Sequence, residues 1–537
     1  MKIVSVSEMA AIEKKADSGG LSYAQMMRNA GGSLARIVMQ RYGSANPRCA
    51  LGLVGSGNNG GDTLVALALM QRAGWQTIAY LVKDRKDDDA LVRELAVRGG
   101  KVLIHSDSEN EGDLIDAIQS CSLILDGILG TGFKLPLRGN VPDVLNMVAM
   151  YAGERVLIAV DCPSGVDCDS GACAPESLKA EMTVCMAAVK QGLVMPPAIG
   201  LTGEMVLAQI GLQEDAFSGI ANPILAVERT YVNSILPERS ADGHKGTYGK
   251  CLVAGGSVLY PGAPTLAAEA AYRVGAGLVC TAVPSAIYES VISRLPEAIW
   301  LMLPHDMGML SSEAANLLIS QMGKYDAMVV GPGLGDEKAP EGFMHALLNT
   351  GNQQTSTRQI GFLPGSKSKQ SESSQPAMVI DADGLRLLAG IDDWHQRLER
   401  TAVLTPHPGE MAALTGMAIA EIQNNRAAIA QQYAEKWGHV LVLKGALTVV
   451  AGINKEMVLI PIATSALATA GTGDVLAGMI AGLMAQGAAA FEAAVAGAWL
   501  HGMAGLYAEK QHGQGASVIA SDIIALLPCV LNDITAH

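Results

Sequence analysis

Aromatic and charged side chains are both scarce in this chain of 537 residues. It contains 5 Trp, 12 Tyr and 5 Phe, and only 17% of its residues are charged, whereas hydrophobic residues make up 49%. Because disordered chains are rich in charge and poor in hydrophobic residues, this composition excludes a largely disordered protein. It is typical of large domains with parallel sheets buried on both faces, whose strands are unbroken runs of Val, Ile, Leu and Ala.

Positive charge is also in deficit, with 38 Lys and Arg against 52 Asp and Glu and a net charge of −14. The chain has no block of basic residues, which nucleic acid polymers and anionic membranes need for binding. Any phosphate that it binds must therefore be held locally, by glycine loops and helix N-termini. We expect small-molecule ligands, and neither a nucleic acid nor a membrane as a partner.

Cysteines are few and are not paired in sequence. The chain has 9 of them, and the closest group, Cys162, Cys168 and Cys173, contains no C-x-x-C spacing. We therefore expect neither a disulfide framework nor a zinc site, but reduced cysteines in a cytoplasm. The N-terminal segment carries Glu8 and Glu13 where a secretory signal needs an apolar core, which also predicts a cytoplasmic protein.

The most apolar segment runs from Val475 to Phe491, and only Gln486 within it is strongly polar. Its length approaches that of a membrane span. However, the segment is rich in Ala and Gly, follows Asp474 directly and is followed by Glu492. These features predict two buried helices in the core of a domain rather than a membrane helix.

Apolar runs alternate with helical patterns along the chain, as expected of βαβ units and doubly wound parallel sheets. The first series of predicted strands is Cys49–Gly55, Gln76–Val82, Lys101–His105, Leu123–Leu129, Val156–Asp161 and Thr183–Val189. The second is Lys250–Ala254, Leu278–Val283, Ala327–Val330, Met378–Asp381, Ala402–Thr405 and Val440–Lys444. Since the alternation lapses around Gln213–Pro223, we predict two α/β domains, over residues 1–217 and 226–537. The polar stretch Asn352–Gln375 is predicted to be a surface insertion in the second domain.

The segment Gly55–Asp62 follows a predicted strand and opens a predicted helix. It matches the G-x-G-x-x-G pattern of dinucleotide-binding loops, and Asp84 closes the next strand at about the spacing of a ribose-binding acid. The residues between the glycines differ from that pattern, because Asn58, Asn59 and Asp62 crowd the helix N-terminus and Asp62 would repel a phosphate. Such oxygens suit a cation or hydroxyl groups; a plain turn capped by Asp62 is the alternative.

Two later strand ends have the same polar character. Asp126–Gly132 is a carboxylate followed by a glycine loop, and Asp161–Gly165 combines a carboxylate with a hydroxyl. In open α/β sheets, ligands bind outside the carboxyl ends of the strands. We therefore predict a pocket in which Asn59, Asp126 and Ser164 supply oxygens to a hard monovalent cation and Asp161 performs acid–base chemistry.

The second domain has its own glycine loops. Gly471–Asp474 precedes a predicted helix, so that backbone N–H groups form an anion site beside a carboxylate, the arrangement of small-molecule kinases. A helix cap is the alternative role of Asp474. Further candidates for lining a site are Gly331–Gly335, Thr405–Glu410, Lys444–Thr448 (a nucleotide loop or an ordinary hairpin), His244–Gly249, Ala254–Ser257 and Gly262–Pro264.

These motifs, in this order, resemble those of the bifunctional NAD(P)H-hydrate repair enzymes, in which an epimerase domain is fused to an ADP-dependent dehydratase domain. Asn58–Asp62, Gly130–Gly132 and Asp161–Gly165 resemble the epimerase signatures. The segments that resemble the dehydratase signatures are His244–Gly246, Gly331–Gly335, Thr405–Glu410, Lys444–Thr448 and Gly471–Asp474.

The resemblance implies a Rossmann-like N-terminal domain and a ribokinase-like C-terminal domain. It implies that the substrates are NADH and NADPH hydrated at ring carbon 6. The first domain would interconvert the R and S hydrates, and the second would dehydrate the S hydrate while ADP becomes AMP and phosphate. The expected cofactors are K⁺ in the epimerase domain, ADP as co-substrate and Mg²⁺ as an optional companion of the nucleotide; a homo-oligomer is also expected.

Individual site residues follow from the same resemblance. In the first domain the hydrate would contact Asn58, Asn59, Gly60, Gly61, Asp62, Gly130, Thr131, Gly132, Phe133, Lys134, Leu135, Pro136 and Asp161, and K⁺ would be held by Asn59, Asp126 and Ser164. In the second domain the hydrate would contact Ala263, Gly333, His407 and Asp474, and the nucleotide would contact Lys444, Gly445, Ala446, Leu447, Thr448 and Gly473. Asp161 and Asp474 are the expected catalytic residues.

Three positions depart from the family pattern. Ser56 and Thr63 replace a common histidine and glycine, and Ala463–Ala466 stands where Gly-Asn-x-Gly is usual, which predicts weaker nucleotide binding or slower dehydration. Two other functions fit the residues. One is a small-molecule kinase of ribokinase-like fold fused to a Rossmann-like binding module, and the other makes the first domain a non-enzymatic sensor of nicotinamide metabolites.

Overall fold

The chain divides into two compact units, Met1–Ala226 and Val227–His537, in a computed structural model. The residues described are 1–83, 85, 89–105, 111–195, 197–217, 225–349 and 375–535. Asp84, and the predicted insertion up to residue 374, lie outside them.

The first unit is built on a parallel sheet. Its strands are β1 (Ile3–Val4), β2 (Cys49–Val54), β3 (Gln76–Leu81), β4 (Lys101–Ile104), β5 (Leu123–Gly127), β6 (Val156–Val160), β7 (Met182–Met186), β8 (Val189–Lys190), β9 (Glu204–Ala208) and β10 (Leu225–Ala226). Its helices are α1 (Val6–Ser18), α2 (Tyr23–Tyr42), α3 (Asn58–Arg72), α4 (Ala90–Val97), α5 (Glu111–Ser120), α6 (Val141–Tyr151) and α7 (Ile199–Thr202). The main sheet has the order β4-β3-β2-β5-β6-β7-β9, and β1 pairs separately with β8.

The strand order reverses direction at β2, since β3 lies on one side of it and β5 on the other. In doubly wound sheets this switch point is where ligands bind. Alternate residues of β2 enter two hydrophobic clusters, with Val54 in one and Leu53 in the other. Both faces of the sheet are therefore covered, and the predicted Rossmann-like doubly wound fold is confirmed.

The second unit is a larger mixed sheet. Its strands are β11 (Lys250–Ala254), β12 (Leu278–Pro284), β13 (Ile299–Leu303), β14 (His305–Asp306), β15 (Met309–Leu310), β16 (Ala327–Val330), β17 (Ala377–Ile380), β18 (Val403–Leu404), β19 (Val440–Leu443), β20 (Val449–Ala451) and β21 (Met457–Leu459). The order β19-β18-β17-β16-β11-β12-β13 is parallel, and β20 and β21 extend it antiparallel beyond β19. β14 and β15 form a separate antiparallel pair. β9, β13, β20 and β21 were not predicted; β9 and β13 are edge strands of five residues that are only partly buried.

Helices cover the second sheet and bury its central strands. They are α8 (Arg229–Ile235), α9 (Ala263–Arg273), α10 (Tyr288–Val291), α11 (Ser312–Met322), α12 (Lys338–Leu348), α13 (Asp383–Leu388), α14 (Pro408–Thr415), α15 (Ile419–Asn424), α16 (Arg426–Trp437), α17 (Thr472–Ala485), α18 (Ala490–His512) and α19 (Ala520–Thr535). Every residue of α17 from Val475 onward is buried, which confirms the two buried helices predicted across Val475–Phe491. Among the described residues, no helix is long and apolar enough to cross a membrane.

Cys49, the first residue of β2, and Cys121, which follows α5, form a disulfide with their Cα atoms 4.5 Å apart. The prediction that all cysteines are reduced is wrong at this pair. The two residues are separated by 72 positions in sequence. They meet because β2 and β5 are neighbouring strands, a relationship that cysteine spacing does not reveal.

Candidate functional sites

At the carboxyl end of β5, Asp126 is completely buried. The Ser164 hydroxyl donates to Asp126 Oδ1 at 2.5 Å, and the Ser164 N–H donates to Oδ2 at 2.8 Å. Burial raises the pKa of Asp126, and these two hydrogen bonds act against that rise. The switch point thus holds a desolvated carboxylate whose charge is only partly compensated by neighbouring dipoles.

Asn59, in the first turn of α3, is linked to Asp126 by hydrogen bonds through the backbone of Leu129 and the side chain of Ser164. Its Nδ2 donates to the Leu129 carbonyl at 2.8 Å, while the Leu129 N–H donates to Ser164 Oγ at 3.0 Å. Asn59 Oδ1 is buried and has no hydrogen-bond partner among the described residues. The structure therefore brings Asn59, Asp126 and Ser164 together, and the orphaned oxygen fits an oxygen-ligated cation.

Asp161, immediately after β6, is held by two donors on one oxygen. The Met186 N–H donates to Oδ1 at 2.9 Å, and Lys190 Nζ contacts the same atom. The backbone of Asp161 has a φ of 65°, in the left-handed region that non-glycine residues rarely adopt. Lys190 is only 2% exposed. Burial lowers the pKa of Lys190, but the charge and hydrogen bond of Asp161, together with Cys185 and Cys162, raise that pKa above its ordinary value.

Asp62 is the other carboxyl group of this site and is 8% exposed. Burial raises its pKa well above the ordinary value, and the charges of Asp161 and Glu13 raise it further. Glu13 comes from α1, and burial raises its pKa as well. Sequence reasoning missed Lys190 and Glu13 as site residues, although a lysine ending a buried strand implies a carboxylate partner.

The remaining predicted contacts of this site lie around it. Gly130 is adjacent to Asn59, because a Cβ built on Gly130 would lie 3.3 Å from Asn59 Cβ. Thr131–Pro136 continues from there as a loop of half-buried and exposed residues. A ligand at the switch point can therefore reach this loop, whereas Asn58, which is exposed, lies at the start of α3.

In the second unit a buried ion pair lies at the carboxyl ends of β17 and β19. Lys444 Nζ donates to Asp381 Oδ1 at 2.6 Å, and the Thr405 hydroxyl donates to the same oxygen at 2.7 Å. Asp381 is 1% exposed, and its Oδ2 has no partner among the described residues. A Cβ on Gly473 would lie 3.6 Å from that oxygen and 3.4 Å from Lys444 Nζ. The ion pair thus borders the predicted anion site.

Asp474 lies in the first turn of α17, after Gly471, which has a φ of 91°. Burial, and next the charge of Asp381, raises the pKa of Asp474 to about 8. A carboxyl group with such a pKa is half ionised near pH 8 and still partly ionised at pH 7, so that it can both take and release a proton, as a general base should. Asp381 was not predicted as a site residue, although it follows β17 directly, as Asp161 follows β6 in the first unit.

His407 and Glu410 form a capping box on α14. His407 Nδ1 accepts hydrogen bonds from the N–H groups of Gly409 at 3.0 Å and Glu410 at 3.2 Å. Burial and the charge of Lys444 lower the pKa of His407. The imidazole is therefore neutral at pH 7, with its Nε2 3.2 Å from Glu410 Oε1. Glu410 Oε2 lies 3.7 Å from Lys444 Nζ, which joins this pair to the ion pair.

Lys444–Thr448 connects β19 to β20 as a hairpin. Arg426, from α16, anchors it: Nη2 donates to the carbonyls of Leu443 at 2.8 Å, Lys444 at 3.2 Å and Leu447 at 3.3 Å. These contacts fix the backbone of the loop, and the Lys444 N–H is fixed as well, because it donates to the Pro406 carbonyl at 2.8 Å. Sequence reasoning missed Arg426, because nothing in its helix indicates a loop distant in sequence.

Ala263 and Gly333 are also brought together, since a Cβ on Gly333, whose φ is 68°, would lie 3.1 Å from Ala263 Cβ. His244–Gly249 is not part of this site, contrary to expectation. It precedes β11, and a Cβ on Gly277 before β12 would lie 2.0 Å from the Lys245 carbonyl oxygen. The segment is therefore at the amino ends of the strands, opposite the ion pair, where it lines a separate cavity with Arg239 and Tyr272.

The departure at Ala463–Ala466 has a structural counterpart. Thr464 Oγ1 accepts from the Ala466 N–H at 3.1 Å and donates to Glu509 Oε2 at 2.5 Å, so that it caps the short 3₁₀ helix Ser465–Leu467. The turn ahead of Gly471 is thereby formed without glycine or asparagine.

Comparison with protein families gives a match to each unit. The family described as NAD(P)H-hydrate dehydratase matches residues 251–528, and the family described as YjeF-related protein N-terminus matches residues 23–192. The bifunctional NAD(P)H-hydrate repair enzyme Nnr of Moorella thermoacetica is 35% identical over 541 residues, covering 99% of this chain and 97% of the relative. Its namesake in Salinibacter ruber is 34% identical, covering 95% and 92%, respectively.

One similar solved structure is the ADP/ATP-dependent NAD(P)H-hydrate dehydratase of Bacillus subtilis, co-crystallised with ATP and Mg²⁺. It is 26% identical with a TM-score of 0.47, and the match covers 58% of this chain and 100% of that one.

Proposed function

The chain belongs to the family of bifunctional NAD(P)H-hydrate repair enzymes, and from this premise we propose how its residues divide the work. The enzyme epimerises the R and S hydrates of NADH and NADPH, and it dehydrates the S hydrate at the expense of ADP. We assign the first activity to Met1–Ala226 and the second to Val227–His537, each around the site at the carboxyl ends of its strands.

In the dehydratase unit, Asp474 is the general base. It takes the proton of the carbon 6 hydroxyl, whose oxygen attacks the terminal phosphorus of ADP, so that AMP leaves. Loss of phosphate from carbon 6 and of a proton from carbon 5 then restores the ring double bond. The observation that carries this assignment is the buried Lys444–Asp381 pair beside Gly473 and Asp474. Backbone N–H groups at the start of α17 and Lys444 would stabilise the phosphoryl charge.

The nucleotide contacts are assigned to Lys444–Thr448 and Gly473, and the hydrate contacts to Ala263, Gly333, His407 and Asp474. Where Mg²⁺ accompanies the nucleotide, Asp381 Oδ2 fits it best, because this carboxylate oxygen is buried, unpartnered among the described residues and close to Gly473. The cation would supply charge neutralisation for the phosphates.

In the epimerase unit, Asp161 is the proton acceptor, and the hydrate contacts Asn58–Asp62 and Gly130–Pro136. Asn59, Asp126 and Ser164 would hold K⁺, which the orphaned Asn59 Oδ1 and the buried Asp126 carboxylate fit. The ion would supply positive charge beside the hydroxyl groups of the substrate. The chain's own contribution is to keep Asp161 and the start of α3 on the same edge of the sheet.

A coupled assay tests the division of labour. With the wild type, the pure R hydrate and ADP, we expect NADH absorbance to return. With Asp161→Asn, we expect it to return from the S hydrate, whereas the R hydrate should stay unconverted. Recovery from the S hydrate alone in the wild type would remove the epimerase assignment. A stable phosphorylated product made from ATP would favour the small-molecule kinase instead.

We further propose a homo-oligomer in the cytoplasm. Exposed apolar side chains near the second site support the oligomer: Val258 is 48%, Leu259 62%, Tyr260 55% and Met307 81% exposed. Light scattering of the purified chain tests it, and a monomer would contradict it. Fractionation of cells that express the chain tests the cytoplasmic location, and recovery outside the cytoplasmic fraction would contradict it.

A further inference from the structure

Lys190 is a buried, charged residue of the first site, and the chemistry proposed above gives it no role. Its ammonium group is 2% exposed and contacts Asp161 Oδ1 and, at 3.1 Å, the Met186 carbonyl. A buried ammonium is strongly destabilising unless it is paired with a carboxylate. Such a residue in a catalytic pocket needs a reason beyond stability.

The contacts of Asp161 are asymmetric. Lys190 Nζ and the Met186 N–H both bind Oδ1, and no hydrogen bond to Oδ2 occurs within the described residues. The Asp161 N–H donates to the Val184 carbonyl at 2.8 Å, which fixes the backbone next to the strained φ. Oδ1 of Asp161 is therefore occupied by Lys190 and the Met186 N–H, whereas Oδ2 can accept a hydrogen bond from a ligand.

Asp62 is in a contrasting environment. No ion pair or hydrogen bond to its side chain occurs within the described residues; the carboxylates of Asp161 and Glu13 disfavour its ionised form, and the charge of Lys190 opposes them more weakly. Burial among carboxylates favours the protonated form, whereas contact with an ammonium favours the ionised form. Two carboxyl groups whose environments differ in this way are suited to be an acid and a base.

We propose that Lys190 is a positioning residue of the epimerisation, which fixes Oδ1 of Asp161 so that Oδ2 serves as the proton acceptor, while Asp62 is the proton donor. This inference rests on the proposed epimerase function of the first unit. The other titratable groups that face the pair are Glu13 from α1, Cys185 from β7 and Cys162 beside Asp161.

In this assignment, each epimerisation transfers one proton from Asp62 and one proton to Asp161. The Asp62 proton passes to the hydroxyl oxygen on carbon 6, the C–O bond breaks with its electron pair leaving on water, and the lone pair of ring nitrogen 1 forms a C=N bond. A solvent water then adds to the opposite face of carbon 6 and gives its proton to Asp161, while the C=N pair returns to nitrogen. One water leaves, one adds, and nothing is oxidised; exchange with solvent resets the pair.

The test uses the full chain with the variants Lys190→Met and Lys190→Arg, and limited proteolysis with peptide mapping of residues 1–226 reports whether the first unit is folded. General acid–base groups contribute 10²–10⁴-fold, so we expect Lys190→Met to slow R-to-S conversion by about 100-fold. The loss should lie in kcat, with the KM for the R hydrate changed by no more than about twofold, since Lys190 orients Asp161 and does not bind the substrate. Lys190→Arg should restore much of the rate. An unchanged kcat in Lys190→Met, or a loss confined to KM, would overturn the inference.

A second measurement covers the case in which Lys190→Met does not fold. Asp62→Asn removes no paired charge and should also slow epimerisation by about 100-fold, with loss of the alkaline limb that reports the donor. In ¹⁸O-labelled water, each wild-type epimerisation should place one solvent oxygen on carbon 6. Full activity of Asp62→Asn, or retention of the original oxygen, contradicts the inference. A wild type that dehydrates the S hydrate but never converts the R hydrate contradicts the proposed function itself.

Discussion

Lys444 Nζ donates to Asp381 Oδ1 at 2.6 Å, and the other oxygen of this carboxylate is buried without a partner among the described residues. The pair comes from two strands, β19 and β17, which are separated only by β18. Lys444 therefore has a fixed position, with its ammonium group beside Gly473 rather than free to sample solvent. Charge compensation inside the site is what allows a chain of net charge −14 to bind an anionic nucleotide.

The first prediction concerns this pair. Asp381→Asn leaves Lys444 without its anionic partner, and breaking a buried pair typically costs about 3 kcal/mol. We expect a lower midpoint in urea unfolding of the second unit and a dehydration rate reduced by at least about tenfold. Glu421→Gln, a neutralisation at an exposed position of α15, is the control and should change neither. Wild-type stability and rate in Asp381→Asn would show that the pair is dispensable.

The second prediction is a pH dependence of dehydration. The pKa of Asp474 is raised to about 8, and the proposed base acts only when ionised. The kcat/KM for dehydration of the S hydrate should therefore rise with pH up to about 8 and then level off. Asp474→Asn should lose about 100-fold or more in kcat and should lack this rise. Asp392→Asn, at an exposed position, serves as control; full turnover by Asp474→Asn would remove the acid–base assignment.

The polar residues at the ends of strands could be predicted from the sequence, whereas contacts between elements that are distant in sequence could not. Asp126, Ser164 and Asn59 could be predicted to meet because parallel strands end at one edge of a sheet. Lys190 and Glu13 could not, since they reach the site through the pairing of β1 with β8, two-residue strands whose pairing no hydrophobic pattern specifies.

The same reason explains the other differences. Arg426 contacts a loop that follows it by some twenty residues (Leu447 is 21 positions away), and Cys121 meets Cys49 through a strand neighbour. His244–Gly249 contains the right residue types for a ligand loop, but it precedes its strand instead of following it. Local composition identifies which residues are unusual, whereas the strand order decides which of them share a site.

The third prediction concerns the cation. If Asn59 Oδ1, Asp126 and Ser164 hold K⁺, the rate of epimerisation should rise with KCl and not with N-methylglucamine chloride at equal ionic strength. Asn59→Leu should abolish that dependence, because it removes the orphaned oxygen. In Asn59→Leu, the dependence of S-hydrate dehydration on KCl should be the same as in the wild type. Equal rates in both salts for the wild type would contradict a functional K⁺ site.

The fourth prediction concerns packing of α17 against α9. A Cβ on Gly478 would lie 2.0 Å from the Ala267 carbonyl oxygen, so Gly478→Ala must force the helices apart. Overpacking of a core costs roughly 1–3 kcal/mol. We expect a corresponding fall in the free energy of unfolding measured in urea. In Gly342→Ala the new Cβ would meet only Ser312 Cβ at 3.8 Å, and this control should be neutral or more stable.

The last prediction separates nucleotide binding from catalysis. Arg426 Nη2 donates to three carbonyls around the Lys444–Thr448 hairpin and contacts no reacting group, so its loss should loosen the loop and leave the base and the ion pair in place. Arg426→Lys keeps the charge, but a single ammonium cannot reproduce the rigid fork of the guanidinium. We expect the KM for ADP to rise by about tenfold in Arg426→Lys and further in Arg426→Met, as one to two hydrogen bonds are worth roughly 1–2 kcal/mol.

The value of kcat should stay within a factor of about two in both variants, because saturating ADP restores the occupied loop. Lys436→Met, on the exposed side of the same helix, should leave both constants unchanged. A fall in kcat without a change in KM would place Arg426 in the chemical step. Unchanged constants in Arg426→Met would mean that the hairpin holds its conformation alone, with the positive φ of Gly445 and Leu447 sufficient to define it.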